Sequence, residues 1–201
     1  MSFGSTSRSK DIEDAISSAQ TLRNGRVLFF AAAGNDGGNC SELYPAALEP
    51  VISVRGTYGT SGFIDRYDPD PQPDGEGRPL FGTLAYRVPC GPNDEEVSGC
   101  SIAAPILAAT AAVFIEFAES YTKRKEWTER EDWKEARQRI LLILKTRAGI
   151  QQLFKDIAGK ANAANNRYYV APERLFSAGH LGKRGWFYPI EGVYSKICMP
   201  E

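Results

Sequence analysis

Gly99-Cys100-Ser101-Ile102-Ala103-Ala104-Pro105 runs straight into Ile106-Leu107-Ala108-Ala109-Thr110-Ala111-Ala112-Val113-Phe114-Ile115. Gly99 permits a turn that residues with a Cβ avoid. Pro105 is tolerated only near the start of a helix. The run that follows is apolar on every face, which predicts a helix buried through the middle of a globular domain. Ser101 opens that helix, beside its unpaired N–H groups and the positive end of its dipole. Taken alone, a serine there is an ordinary N-cap.

Upstream, Arg26-Val27-Leu28-Phe29-Phe30-Ala31-Ala32-Ala33 reads as a strand covered on both faces, ending in Gly34-Asn35-Asp36-Gly37-Gly38-Asn39. Ligands bind beyond the carboxyl ends of such strands, so Asn35 is a side-chain amide delivered to that edge. Asp11 to Arg23 carries Ile12, Ala15, Ile16, Ala19 and Leu22 at helical spacing, with Asn24-Gly25 as the stop. A strand end at Ser2 to Gly4, this helix and the Arg26 strand make a βαβ step, which Val51 to Val54 extends. The fold class expected is α/β, a parallel sheet flanked by helices.

Gly59 to Arg78, with Asp68-Pro69-Asp70-Pro71-Gln72-Pro73-Asp74-Gly75, reads as a solvated loop too polar and proline-rich for a core to fix. Thr128-Glu129-Arg130-Glu131 is a capping box opening a long helix through Trp133, Ala136, Ile140, Leu141 and Leu144. The segments Tyr168-Tyr169-Val170-Ala171-Pro172 and Gly185-Trp186-Phe187-Tyr188 read as an irregular aromatic tail, docked on the core or on another domain. No repeat appears, and residues 1–201 form one unit.

A net charge of −1 and a pI near 6.0 give no basic footprint, so no nucleic-acid partner is expected. No uninterrupted apolar stretch exceeds fifteen residues, so no membrane span is expected. Cys40, Cys90, Cys100 and Cys198 have no C-x-x-C spacing and the sequence holds one histidine, His180, so neither a metal nor a cofactor is expected. Cys40 and Cys90 leave room for a disulfide, although four scattered cysteines lean towards a reducing, intracellular compartment.

Gly99-Cys100-Ser101-Ile102-Ala103-Ala104-Pro105 resembles the Gly-Thr-Ser-Met-Ala-(Ala/Ser/Thr)-Pro nucleophile block of the subtilisin-like serine peptidases, with Cys100 in place of threonine. Ala32-Ala33-Gly34-Asn35 is similar to the segment carrying that family's oxyanion asparagine, and Ser2-Phe3-Gly4 to its Ser-x-Gly strand end. Tyr44-Pro45-Ala46 with Val51-Ile52-Ser53-Val54 resembles a fourth block, and all four stand in the family's order. The resemblance runs from about residue 1 to 120, continuing weakly through the helices and tail of 121–201.

The resemblance implies a serine endopeptidase acting on a peptide or protein, with Ser101 as nucleophile and Asn35 as oxyanion donor. Ser2, Phe3 and Gly4 would form one wall of the pocket for the residue before the scissile bond, and Ala33 and Gly34 the other. Phe3 suggests an apolar pocket, and Gly34 room for a large side chain. Subtilisin orders its triad aspartate, histidine, serine, whereas His180 follows Ser101 in a polar, glycine-rich tail and reads as a surface residue. The chain is therefore expected to be the later part of a domain, partnered by a missing N-terminal part and inactive alone. The same absence keeps open a non-catalytic peptide-binding or regulatory module. Cys100 as the nucleophile lacks a placed histidine, and a Gly-x-Ser-x-Gly elbow fails because Ala103 occupies the last glycine position.

Overall fold

A computed structural model describes residues 1–91, 95–121, 133–158 and 166–171. Its centre is a parallel sheet of four strands in the order β1-β2-β3-β6, formed by Phe29–Ala32 (β1), Val51–Thr57 (β2), Leu80–Leu84 (β3) and Arg167–Tyr169 (β6). Side chains of a strand alternate between faces, and β1 divides accordingly. Phe30 and Ala32 join the main core, while Ala31 joins a second cluster with Ile16, Ala46, Leu48 and Val51. Both faces are therefore dry, which is why the strand reads as a continuous apolar run. Helix α1, Lys10–Leu22, contributes Ile16 to the second cluster.

Helix α2, Cys100–Tyr121, covers the main face, packing on β1, β2 and β3. Its buried apolar positions, Cys100, Ala103, Ala104, Leu107, Ala111, Phe114 and Ala118, form one stripe at helical spacing. The expectation of burial on every face is corrected by Pro105, Ala109, Ala112 and Val113 on the opposite side, which are exposed. No described element covers them. Although Thr110, Glu116 and Glu119 break up its apolar run, α2 is long and apolar enough to cross a membrane by length and composition.

The helix expected to run through Leu144 ends there (α3, Trp133–Leu144), and Arg147–Ala158 forms a separate α4. Thr146 divides them: its N–H and Oγ1 both donate to Ile143 O, and Oγ1 accepts from Gly149 N–H at 3.2 Å, an N-cap for α4. Ile150, Leu153 and Phe154 of α4 are buried, with Phe154 against Phe81 at 5.5 Å between ring centroids. Tyr168 and Tyr169, read as irregular, are the outer strand, with Tyr168 packed on Phe81. The capping box at Thr128 to Glu131, Gly185 to Tyr188 and His180 lie outside the described residues.

Three local expectations are corrected. No strand forms at Ser2 to Gly4: Met1 alone lies along β1, its amino group donating to Phe30 O at 2.5 Å and its carbonyl accepting from Ala32 N–H. Cys40 and Cys90 are free and exposed. The Gly59 to Arg78 loop is fixed rather than solvated, because Asp68 reaches a guanidinium inside the domain. An antiparallel pair, Val88–Cys90 (β4) with Glu95–Val97 (β5), has no counterpart in the sequence reading.

Candidate functional site

The site begins where β1 and β2 end and α2 starts. Gly99 has φ +136° and donates its N–H to Ala85 O at 2.8 Å, turning the chain from the sheet into the helix. That backbone is one only glycine adopts without strain. A Cβ there would stand 3.3 Å from Asn35 Oδ1 and 3.4 Å from Asn35 Nδ2. The glycine therefore lets the Asn35 amide lie against the helix entrance.

Asn35 follows β1 and a second left-handed glycine, Gly34, with φ +140°. Its Oδ1 accepts the N–H of Cys100 at 2.9 Å. An N–H donor requires an oxygen opposite it, so Nδ2 faces away and remains available as a donor. Ser101 and Ser2 are bonded reciprocally: Ser2 Oγ donates to Ser101 O at 3.0 Å, and Ser101 Oγ donates to Ser2 O at 3.3 Å. The Ser101 N–H has no acceptor among the described residues. Ser101 and Asn35 are half-buried, open on one side to solvent. No described residue is a histidine.

Cys100 points the other way. Its Sγ lies 2.9 Å from Gly34 O and 3.3 Å from Tyr67 O, sharing one proton between two carbonyls. Burial pushes the thiol up to about 11, against a smaller opposing pull from the Gly34 hydrogen bond. A thiol in that state is neither ionised nor accessible near neutrality, which removes Cys100 as a nucleophile.

Ala33 is held on both sides, its N–H donating to Val54 O and its carbonyl accepting from Leu43 N–H. Leu43 is the residue that sequence reading missed. A Cβ on Gly4 would meet its side chain at 2.8 Å, and one on Gly34 at 3.3 Å. Leu43 packs against Gly34, on the side where a Gly34 Cβ would stand. Phe3, expected in the wall, projects into solvent, 57% exposed. Thus Ser2, Gly4, Ala33, Gly34, Asn35 and Ser101 converge, and Phe3 stands at their margin.

Arg55 was missed too, and its signal was present: a lone cation in the apolar stretch Val51-Ile52-Ser53-Val54-Arg55-Gly56. It is fully buried beneath the site, with Glu42 at 3.3 Å and Asp68 at 3.1 Å. Among the described residues no group of three or more His, Cys, Asp or Glu is arranged to hold a metal.

A family model described as the Subtilase family, peptidase S8, matches residues 1–170. No curated protein matches the chain. Solved structures that resemble it include the self-cleaved protease domain of PatA, at 21% identity and a TM-score of 0.58, covering 96% of this chain and 61% of that one. The prenylagaramide maturation protease PagA aligns at 19% identity and a TM-score of 0.53, over 87% of this chain and 59% of that one. The PatG macrocyclase in complex with peptide aligns at 14% identity and a TM-score of 0.52, over 88% and 50% of the two chains. These likenesses show a subtilisin-like fold, and the chain spans at most 61% of the structures named.

Proposed function

Because this chain belongs to the Subtilase family, we propose that it carries the nucleophile and oxyanion donors of a serine endopeptidase acting on peptide or protein substrates. The observation that carries the reading is the placement of Asn35 and Ser101 at one helix entrance, with Oδ1 of the asparagine held by the Cys100 N–H. Ser101 Oγ attacks the scissile carbonyl, whose oxygen gains charge as the tetrahedral intermediate forms. Asn35 Nδ2 and the Ser101 N–H, both without a competing acceptor among the described residues, donate to that oxygen. Fixed donors aimed at developing charge need no reorganisation during reaction, which is the source of their effect.

Ser2 and Gly4 line one side of the substrate and Ala33 and Gly34 the other, with Phe3 at the rim. Leu43 forms the floor, so the residue before the scissile bond is small. One of the structures resembling this chain is a macrocyclase in complex with peptide, and a peptide substrate is proposed here also.

Attack by serine requires a base to take its proton, and a triad histidine held by aspartate does this in the family. Here Ser101 Oγ is bonded to Ser2 O, and no imidazole lies among the described residues. The base therefore lies outside them; the chain's single histidine, His180, follows Ser101, against the family's order, so the 201 residues alone are expected not to cleave peptides. The second reading, a peptide-binding or regulatory module without catalysis, is favoured by the bond of Ser101 Oγ to the Ser2 carbonyl, which leaves the hydroxyl without a base among the described residues.

Labelling with a fluorophosphonate, read at Ser101 by mass spectrometry, separates the two. The protein expressed from its complete reading frame should be labelled at Ser101, and Ser101→Ala should abolish the label. Asn35→Leu should lower kcat by about 10² to 10³, the cost of losing the equivalent donor in subtilisin, the family's own type case. No label on the complete protein, together with measurable peptide binding, would establish the binding module instead.

A further inference from the structure

Beneath the site five charged side chains alternate in sign. Arg55 is fully buried on β2 between two carboxylates, Glu42 at 2% and Asp68 at 9% exposure. Arg78 approaches Glu42 from outside at 3.9 Å, and Arg167 of β6 meets Asp68 at 2.8 Å. Arg55 also donates Nη1 to Ser53 Oγ at 3.0 Å and Nη2 to Pro69 O at 3.3 Å, while Ser53 Oγ donates to Glu42. A guanidinium without partners there would be strongly destabilising, and a hydrophobic side chain of similar volume often serves stability as well. Stability alone therefore gives no reason for the group.

What the guanidinium joins is more informative. Glu42 precedes Leu43, whose side chain stands against Gly4 and Gly34. Asp68 follows Arg66 and Tyr67, and both of those touch the oxyanion corner. Arg66 Nε donates to Asn35 O at 3.3 Å, and Tyr67 O takes the Cys100 thiol. The two loops are sewn together by Glu42 N–H to Asp70 O and Asp70 N–H to Cys40 O. Among the described residues, Arg55 is the one that pairs with a carboxylate of each loop from the sheet side.

We propose that Arg55 is a positioning residue: through Asp68 and Glu42 it holds the loops that fix Asn35, Cys100 and Leu43 at the helix entrance. This rests on the peptidase reading only for its catalytic consequence. The geometric claim concerns the Cys100 corner itself. If the fork of Arg55 holds the loop of residues 65–70, then loosening it withdraws the Tyr67 carbonyl from Cys100. The thiol becomes accessible, and Asn35 loses its backing.

The test uses Arg55→Lys, which keeps the charge and removes the fork, and Asp68→Asn, which keeps the shape and removes one charge. Iodoacetamide modification at pH 8 is followed peptide by peptide, with exposed Cys40 as internal standard. In both variants, well below their melting temperatures, Cys100 should be modified roughly tenfold faster than in the wild type, as expected for local opening. The labelling rate at Ser101 in the complete protein should fall with it. Folded variants with lowered Tm and Cys100 modification within about twofold of wild type would overturn the proposal, since a purely structural network predicts that pattern. If one variant fails to fold, the other decides. Failure of both would also overturn it, because the network would then support the whole domain. Wild-type protein unlabelled at Ser101 would refute the peptidase reading and leave the Cys100 comparison to stand by itself.

Discussion

Gly99→Ala probes two features of the site with one methyl group. The backbone there has φ +136°, and holding a non-glycine residue in so unfavourable a region costs about 1–3 kcal/mol. The new Cβ would also stand 3.3 Å from Asn35 Oδ1, closer than side chains normally pack. Asn35 is half-buried and its amide is the end of a side chain, so it swings aside instead of pushing backbone. That movement breaks the 2.9 Å bond from the Cys100 N–H. For a domain of this size each kcal/mol lowers Tm by about 2–4 °C, so a fall of roughly 2–12 °C is expected. Thermal unfolding by circular dichroism measures the first effect, and hydrogen exchange at the Cys100 amide measures the second. A variant melting within about 1 °C of wild type, with the Cys100 amide equally protected, would refute both the strain and the contact.

Two further outcomes follow from the same corner. Leu43→Ala should open the floor between Gly4 and Gly34, and for the complete protein should raise kcat/KM for phenylalanine over alanine before the scissile bond by roughly tenfold or more, at about 0.8 kcal/mol per methylene; peptide substrates differing at that residue measure it. Burial pushes the Cys100 thiol from 9.0 up to about 11, so the folded state holds its proton more tightly than the unfolded state. Nothing is lost below pH 9, and about 2–3 kcal/mol of stability disappears between pH 9 and 11. Urea melts of wild type and Cys100→Ala across that range should converge or cross as pH rises, while a constant difference would contradict the burial.

Most of the sheet could be read from the chain because its cause is local. Phe29 to Ala32 are apolar on both sides since both sides are covered, and continuous hydrophobicity records that directly. The Gly99-Cys100-Ser101 turn was legible for a similar reason, one glycine and one helix start being written in consecutive residues. Leu43 was not legible as a neighbour of the site because its contacts depend on two glycines about thirty-nine and nine residues earlier in the chain meeting at one point. Arg55 was passed over because a cation in a strand is ordinary at an edge. Only the fold shows that this one lies between two carboxylates, one of them, Asp68, from a loop whose composition marks it as solvent-facing. The outer strand at Arg167–Tyr169 was read as irregular because three residues are too few to show alternation, and its pairing with β3 comes from tertiary contact.

That last strand has a consequence for how the chain reaches its native state. Leu80, Phe81 and Gly82 pair with Arg167, Tyr168 and Tyr169, so the hydrogen-bonding edge of β3 stays open until nearly all of the described chain has been synthesised. Parallel pairing over such a separation is slow, because loop-closure entropy is spent before any contact offsets it. During translation, the ribosome therefore releases an apolar edge well before its partner emerges. Ribosome-bound chains exposed outside the exit tunnel only as far as about residue 160 should engage chaperones, and chains in which residue 171 has also left the tunnel should release them.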